Sequence, residues 1–325
     1  MSDLADELVQ ARLPWISDRI QSWYDEARLV SQLAHDLAAE AQRVRDVGFG
    51  TDYRDAVDAA LEPDPLAWAN RRLDLRNGGW AVTGIRFRAL DRAKPFVDIV
   101  ATDQPPTPEG LATVAAAVLP AYARFEPLCL RVDAADPSAL MAVLDDDPRF
   151  GPSGIDQYVV AGQVSSVLAL PVPTGVSLRL GEPGPLAERV AAIYARHPEE
   201  SRLWATPEGA ESLADCAAQG LLVEVLVDGV PAGVVAAVRE DGHGMSGFCV
   251  QELCLDPAFR GRGLAAPAVR LLAERFQARP GDVLWGTIHP DNLPSLRQAQ
   301  SLGREVVGGY VWVTPEGLPG MPQRV

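Results

Sequence analysis

The chain has little with which to staple or metallate itself. Its 325 residues hold four cysteines, Cys129, Cys216, Cys249 and Cys254, each in apolar surroundings and none at a paired metal-ligand spacing. That excludes a disulfide framework and a zinc ribbon and predicts reduced core thiols in a cytoplasmic protein with no metal. Hydrophobic residues make up 47% of the chain, yet no apolar run is long enough to span a bilayer. The opening MSDLADELVQ is acidic and lacks the basic-then-apolar order of a secretory leader, so none is expected. Positive charge is in deficit: 29 Lys and Arg stand against 44 Asp and Glu, a formal net charge of −15. Nucleic acid and anionic membranes are excluded as partners on that balance, and cationic substrates such as amines are favoured. The Gly/Arg turn at residues 260–263 is not a G-x-G-x-x-G and no Gly-Lys-Ser/Thr follows it, which excludes a dinucleotide fingerprint and a Walker loop there.

What is present centres on residues 248–276, FCVQELCLDPAFRGRGLAAPAVRLLAERF. Phe248 to Leu255 reads as a strand, interrupted in its apolar run by Gln251 and Glu252. Asp256-Pro257 stops it, because proline cannot continue the ladder. Arg260-Gly261-Arg262-Gly263 turns the chain. Pro267 suits a first helical turn, and Val269, Leu271, Leu272 and Phe276 follow at helical spacing. A helix start presents unpaired N–H groups and partial positive charge. Glycines let a phosphate approach those amides, and the arginines add forked donors. The alternative is an ordinary strand–turn–helix with two solvated arginines.

Arg260 to Ala265 (RGRGLA) resembles the Gln/Arg-x-x-Gly-x-Gly/Ala signature of the GNAT N-acyltransferase superfamily. It stands where that family has it, after a strand ending in Asp-Pro and before a helix. The resemblance continues through the strand Asp282–Ile288 and a helix opened by Asn292-Leu-Pro-Ser295 and closed at Gly303. Two strands, Glu305–Tyr310 and Val311–Thr314, would finish the sheet. It covers roughly residues 175–315. The fold class it implies is α/β (α+β): a mixed, mostly antiparallel sheet flanked by helices.

The length favours two domains. Residues 1–46 read as helix, with Pro14 interrupting it, and Asp52–Leu61 and Pro65–Leu75 as short helices. After the Asn77-Gly78-Gly79 turn signal, strands at 80–90, 96–102, 127–132 and 158–161 alternate with helices at 108–123 and 137–144. That order resembles the second half of a GNAT domain without the loop, since TDQPPTPEG stands in its place; an unrelated α/β domain is the other reading. The organisation expected is a helical segment 1–76, a degenerate GNAT-like domain 77–165, a linker 166–175 and a GNAT acyl-CoA-binding domain 176–325. Within the last, Asp228-Gly229 predicts a two-residue hairpin.

The resemblance implies acetyl-CoA as co-substrate and an amine acceptor. Arg260, Gly261, Arg262, Gly263, Leu264 and Ala265 would hold the pyrophosphate through backbone amides. Exposed backbone at Leu253, Cys254 and Leu255 would pair with the pantetheine, and a bulge there would splay the strand from its neighbour. Asn292 and Ser295 match positions that contact CoA, although a helix N-cap also explains Asn292. Glu252 is the first candidate base and His289 the second. Glu199, Glu200, Arg202 and Trp204 lie where the family forms its acceptor site. The family's tyrosine acid is Ala299 here, and Tyr310 is the nearest downstream hydroxyl. That departure and the degenerate partner domain leave open a non-catalytic acyl-CoA-binding regulatory or scaffold protein, and length and apolar content leave open a self-associating structural protein. Acceptor, acyl chain and oligomeric state are open at this stage.

Overall fold

The computed structural model describes residues 2–196 and 206–322. They form two compact units, Met1–Gln157 with Gly308–Val325, and Tyr158–Val307. Both are mixed α/β, built on largely antiparallel sheets flanked by helices.

The first unit begins with helices α1 (Ser2–Arg12), α2 (Asp18–Gln21), α3 (Glu26–Gln42) and α4 (Val47–Val57). The single helix expected over residues 1–46 is therefore three. Pro14 falls in a 3₁₀ turn, Leu13–Trp15. Ser17 and Asp25 then start new helices by accepting from the Ile20 and Arg28 amides. Strands β1 (Arg71–Asp74), β2 (Trp80–Phe87) and β3 (Pro95–Thr102) form an antiparallel meander. The expected helix Pro65–Leu75 shrinks to one 3₁₀ turn, Pro65–Ala67, because Arg71–Asp74 is drawn into the ladder with β2. Helix α5 (Pro108–Ala121) crosses over to β4 (Leu130–Ala134), parallel to β3, and α6 (Pro137–Asp145) follows. The core is aromatic: Trp68 is fully buried and meets Phe125 edge-on at 5.0 Å.

The second unit takes Tyr158–Gln163 of β5 (Gly154–Gln163), then α7 (Val164–Leu168), β6 (Val176–Leu180), α8 (Pro183–Tyr194) and α9 (Ala210–Ala218). Strands β7 (Leu222–Val227), β8 (Val230–Arg239) and β9 (Gly247–Leu255), helix α10 (Ala265–Ala273), strand β10 (Val283–Ile288) and helix α11 (Leu293–Ser301) complete it. Strand order is β5-β10-β9-β8-β7-β6, antiparallel except for β9 and β10. The hairpin at Asp228-Gly229 forms as its dipeptide demands, both residues at positive φ (49° and 79°). Leu186, Val190 and Ile193 of α8 and Leu213 of α9 bury one face of the sheet; Val269 and Leu272 of α10 bury the other.

Two pairings depart from the expectation. Tyr158–Gln163, read as the last strand of the first domain, lies antiparallel to β10. The two closing strands expected after Gly303 are one, β11 (Glu305–Val313), whose Gly309–Val313 runs against β4 of the first unit. Alternation marks a strand but carries no information about its partner.

Candidate active site

Strands β9 and β10 are hydrogen-bonded only where Gly247–Cys249 faces Val283–Trp285. Beyond that they part. The cause lies on the other edge of β9, where Ala236 of β8 faces Glu252 but Ala237 faces Val250. Gln251 is the extra residue of a β-bulge, and a bulge bends and twists its strand. The second half of β9 is thus led away from β10, with Leu253, Cys254 and Leu255 beside the opening.

A cavity of about 730 Å³ occupies this place. Its wall runs from Tyr194 along Leu253, Cys254 and Leu255 to Arg260, Gly261, Gly263, Leu264, Ala265 and Ala266, and across to Asn292, Ser295 and Gln298. Of the residues expected to hold a phosphate-bearing ligand, Arg262 alone is not in that wall; its guanidinium stacks on Phe259, 5.5 Å from the ring centre. Arg260 donates through Nε to the Leu255 carbonyl at 2.8 Å, tying the loop to the strand end. Gly261 and Gly263 have φ of 70° and 71°, a region open to glycine and costly for other residues. A Cβ at either would meet nothing within 4 Å, so their backbone faces open space. Leu264, the N-cap of helix α10, gives no side-chain cap, so the first-turn amides have no side-chain acceptor, and Leu264, Ala265 and Ala266 line the cavity. Asn292 caps α11, its Oδ1 accepting from the Ser295 amide at 3.3 Å.

Glu252 is 3% exposed. Its Oε1 accepts from the Tyr194 hydroxyl (3.1 Å) and the Leu253 amide (2.9 Å), and its Oε2 from the Glu208 amide (3.3 Å). Burial nevertheless dominates those three donors and pushes the carboxyl up to about 7. The same burial, helped by the Glu252 charge, keeps the Tyr194 phenol protonated far above its usual range. Tyr194 lines the cavity and Glu252, which it hydrogen-bonds, does not. Helix α8 is held for this purpose by Arg189, which bridges Glu224 on β7 and Asp256 at the end of β9, each at 2.6 Å. Tyr194 was not among the residues the sequence singled out. Its only local signal is its place one residue after Ile193 on a helix that packs on the sheet.

The other expected residues lie elsewhere. His289 is buried at the end of β10, outside the cavity wall, and its Nδ1 accepts from the Asp291 amide at 3.2 Å. Tyr310 is in the first unit, with the Arg131 guanidinium 4.6 Å from its ring, and it does not line the cavity. Ala299 is fully buried. Glu199, Glu200, Arg202 and Trp204 fall outside the described residues. Among the described residues no cluster of His, Cys, Asp or Glu could hold a metal ion, and no helix is long and apolar enough to cross a membrane.

Residues 189–303 match the model of the acetyltransferase (GNAT) family. No curated protein matches the chain. Among solved structures it is similar to a GCN5-related N-acetyltransferase from Sphaerobacter thermophilus, at 17% identity and TM-score 0.48 over 75% of this chain and 79% of that one. It is similar also to a GCN5-related N-acetyltransferase from Kribbella flavida (18%, TM-score 0.46, 76% of this chain and 90% of that). A tandem GNAT protein from the clavulanic acid biosynthesis pathway is a third (17%, TM-score 0.44, 90% and 96%).

Proposed function

We propose that this chain, whose residues 189–303 belong to the acetyltransferase (GNAT) family, transfers an acetyl or other acyl group from its CoA thioester to a primary amine by direct attack. The observation that carries this reading is a cavity joining an uncapped, glycine-led helix start to Tyr194, whose hydroxyl donates to the buried Glu252 carboxyl, itself poised near neutrality. Amides of the loop 260–266 bind the pyrophosphate. The freed edge of Leu253–Leu255 takes the pantetheine as an added strand. The amine nitrogen attacks the thioester carbonyl, the C–N bond forms, the C–S bond breaks and the CoA thiolate leaves. Glu252 receives the amine's proton. The Tyr194 phenol gives its proton to the thiolate and is recharged from Glu252 across their hydrogen bond, so the site ends as it began. In this role Tyr194 takes the work that Ala299 cannot do.

The test separates charge from backbone strain at Gly263. Asparagine tolerates positive φ and is neutral, whereas aspartate of the same shape brings a carboxylate against the phosphates. At about a hundred times its Kd, acetyl-CoA should stabilise the native state by roughly 2.7 kcal/mol. Thermal melts should show that shift in wild type and in Gly263→Asn, and lose it in Gly263→Asp. Equal shifts in the two variants would remove the phosphate site from this loop.

A further inference from the structure

Arg304, immediately after α11, is 3% exposed. Its Nη2 donates to the Val160 carbonyl of β5 at 3.1 Å, and its Nε is buried with no acceptor. Among the described residues its hydrogen bond goes to that backbone carbonyl and no carboxylate acts on its charge. Burial with no such partner pulls even this guanidinium down to about 10. The fold makes room for it at two glycines on neighbouring strands. A Cβ on Gly162 of β5 would stand 3.3 Å from the Arg304 Cγ, and one on Gly286 of β10 would stand 3.2 Å from its Nη2. Gly286 is the first residue of β10 past the last pair with β9, and its notional Cβ is 3.5 Å from the carbonyl of Val250, the first such residue of β9. The guanidinium therefore packs against the vertex, the residues where β9 and β10 part, behind the cavity wall that Leu253–Leu255 help form and that does not include Arg304. A buried cation with an unused donor is expensive unless an anion meets it.

We propose that Arg304 makes this vertex a carboxylate site, so that the transferase acts on a substrate carrying a free carboxylate as well as its reacting group. This rests on the acyl-transfer reading above. The carboxylate has two possible sources: the far end of a short dicarboxylic acyl thioester, whose chain points from the thioester toward the vertex, or the carboxylate of an amino-acid acceptor. In either case it takes no part in bond exchange; it orients the molecule through a forked ion pair.

Calorimetric titration distinguishes these sources. Succinyl-CoA and butyryl-CoA share a four-carbon acyl chain and differ in the terminal carboxylate. Wild type should bind succinyl-CoA roughly tenfold to a hundredfold more tightly, the range of a charge-assisted bond. Arg304→Met should erase the preference, leaving butyryl-CoA affinity in place, and Arg304→Lys should retain part of it. If the acceptor supplies the carboxylate, the thioesters bind alike. Protein saturated with acetyl-CoA then prefers free amino acids, across the standard set, to their amides, and Arg304→Met abolishes that difference. Absence of both preferences in wild type overturns the proposal whether or not the variants fold. If acetyl-CoA binds and neither preference exists, only the vertex site is lost; if no CoA thioester binds, the acyl-transfer reading falls with it.

Discussion

At the scale of single residues, Glu252 decides the pH behaviour. Its carboxyl titrates near 7 in the fold against an ordinary value of 4.5, because burial outweighs three donated hydrogen bonds. Its raised value means the native state prefers the proton. The contribution to stability is therefore intact below about 4.5 and is lost as pH rises to about 7. The gap corresponds to about 3 kcal/mol at most. Urea melts of Glu252→Gln and wild type should agree at pH 4 and diverge by pH 8, where the variant is the more stable by up to that amount. The rate runs the other way. The base works only when ionised, so kcat/KM of wild type should climb through pH 7, and Glu252→Gln should lose at least a hundredfold and the inflection with it. A variant with the wild-type profile would remove Glu252 from the chemistry. Such a carboxyl was legible as the single acid in an apolar strand. Tyr194 and Arg304 were not, because a tyrosine at a helix end and an arginine after a helix look ordinary until the strands on which they lie are in place.

Among the elements, the first unit offers an instructive contrast. Strands β3 and β4 are also parallel and are paired only at Val97–Asp98 against Leu130–Arg131. Here, though, the opening is filled. Arg12 and Trp15 lie against Ile99, Ala101, Val132 and Asp133 around a void of only about 10 Å³, and Arg12 pairs with Asp133. The helix that follows is closed to anions: Thr107 caps α5 by accepting from the Gly110 amide, Pro105, Pro106 and Pro108 offer no N–H, and Glu109 adds negative charge to the first turn. In the second unit the equivalent turn has two glycines at positive φ and no cap. The chain is expected to bind one acyl-CoA per molecule, in the second unit. Titration with acetyl-CoA should give a stoichiometry near one, and Gly263→Asp should bring it to zero; a second equivalent would overturn the closed reading of the first unit. The missing loop was legible in TDQPPTPEG. The filling of the β3–β4 opening by Arg12 and Trp15 was not, because contacts so distant in sequence leave no periodic trace. The bulge at Gln251 was likewise invisible, since one extra residue in a ladder shows only when the partner strand is known.

For the whole molecule, local signals located nearly every strand and helix but not the partners of two. Alternation revealed strands near 158–161 and 305–314, and sequence proximity assigned each to the nearer half. The ladder assigns them otherwise: Tyr158–Gln163 completes the sheet of the second unit against β10, and Gly309–Val313 completes that of the first against β4. A cut between residues 164 and 175, which composition recommends as a domain boundary, therefore strips one strand from each unit. A fragment 176–325 would expose the edge of β10, buried and apolar at Val283–Trp285, and would carry Trp312 and Val313 with no β4 to cover them. Unpaired apolar edges aggregate. The fragment is expected to be insoluble or to lack a cooperative melt, whereas fragment 154–307, which keeps β5 with β10, should melt cooperatively and retain acetyl-CoA binding. Circular dichroism melts with and without acetyl-CoA on both fragments decide it. If 176–325 folds and binds as well as 154–307, pairing with Tyr158–Gln163 contributes little, and the second unit draws its stability from β6–β10 and their helices alone.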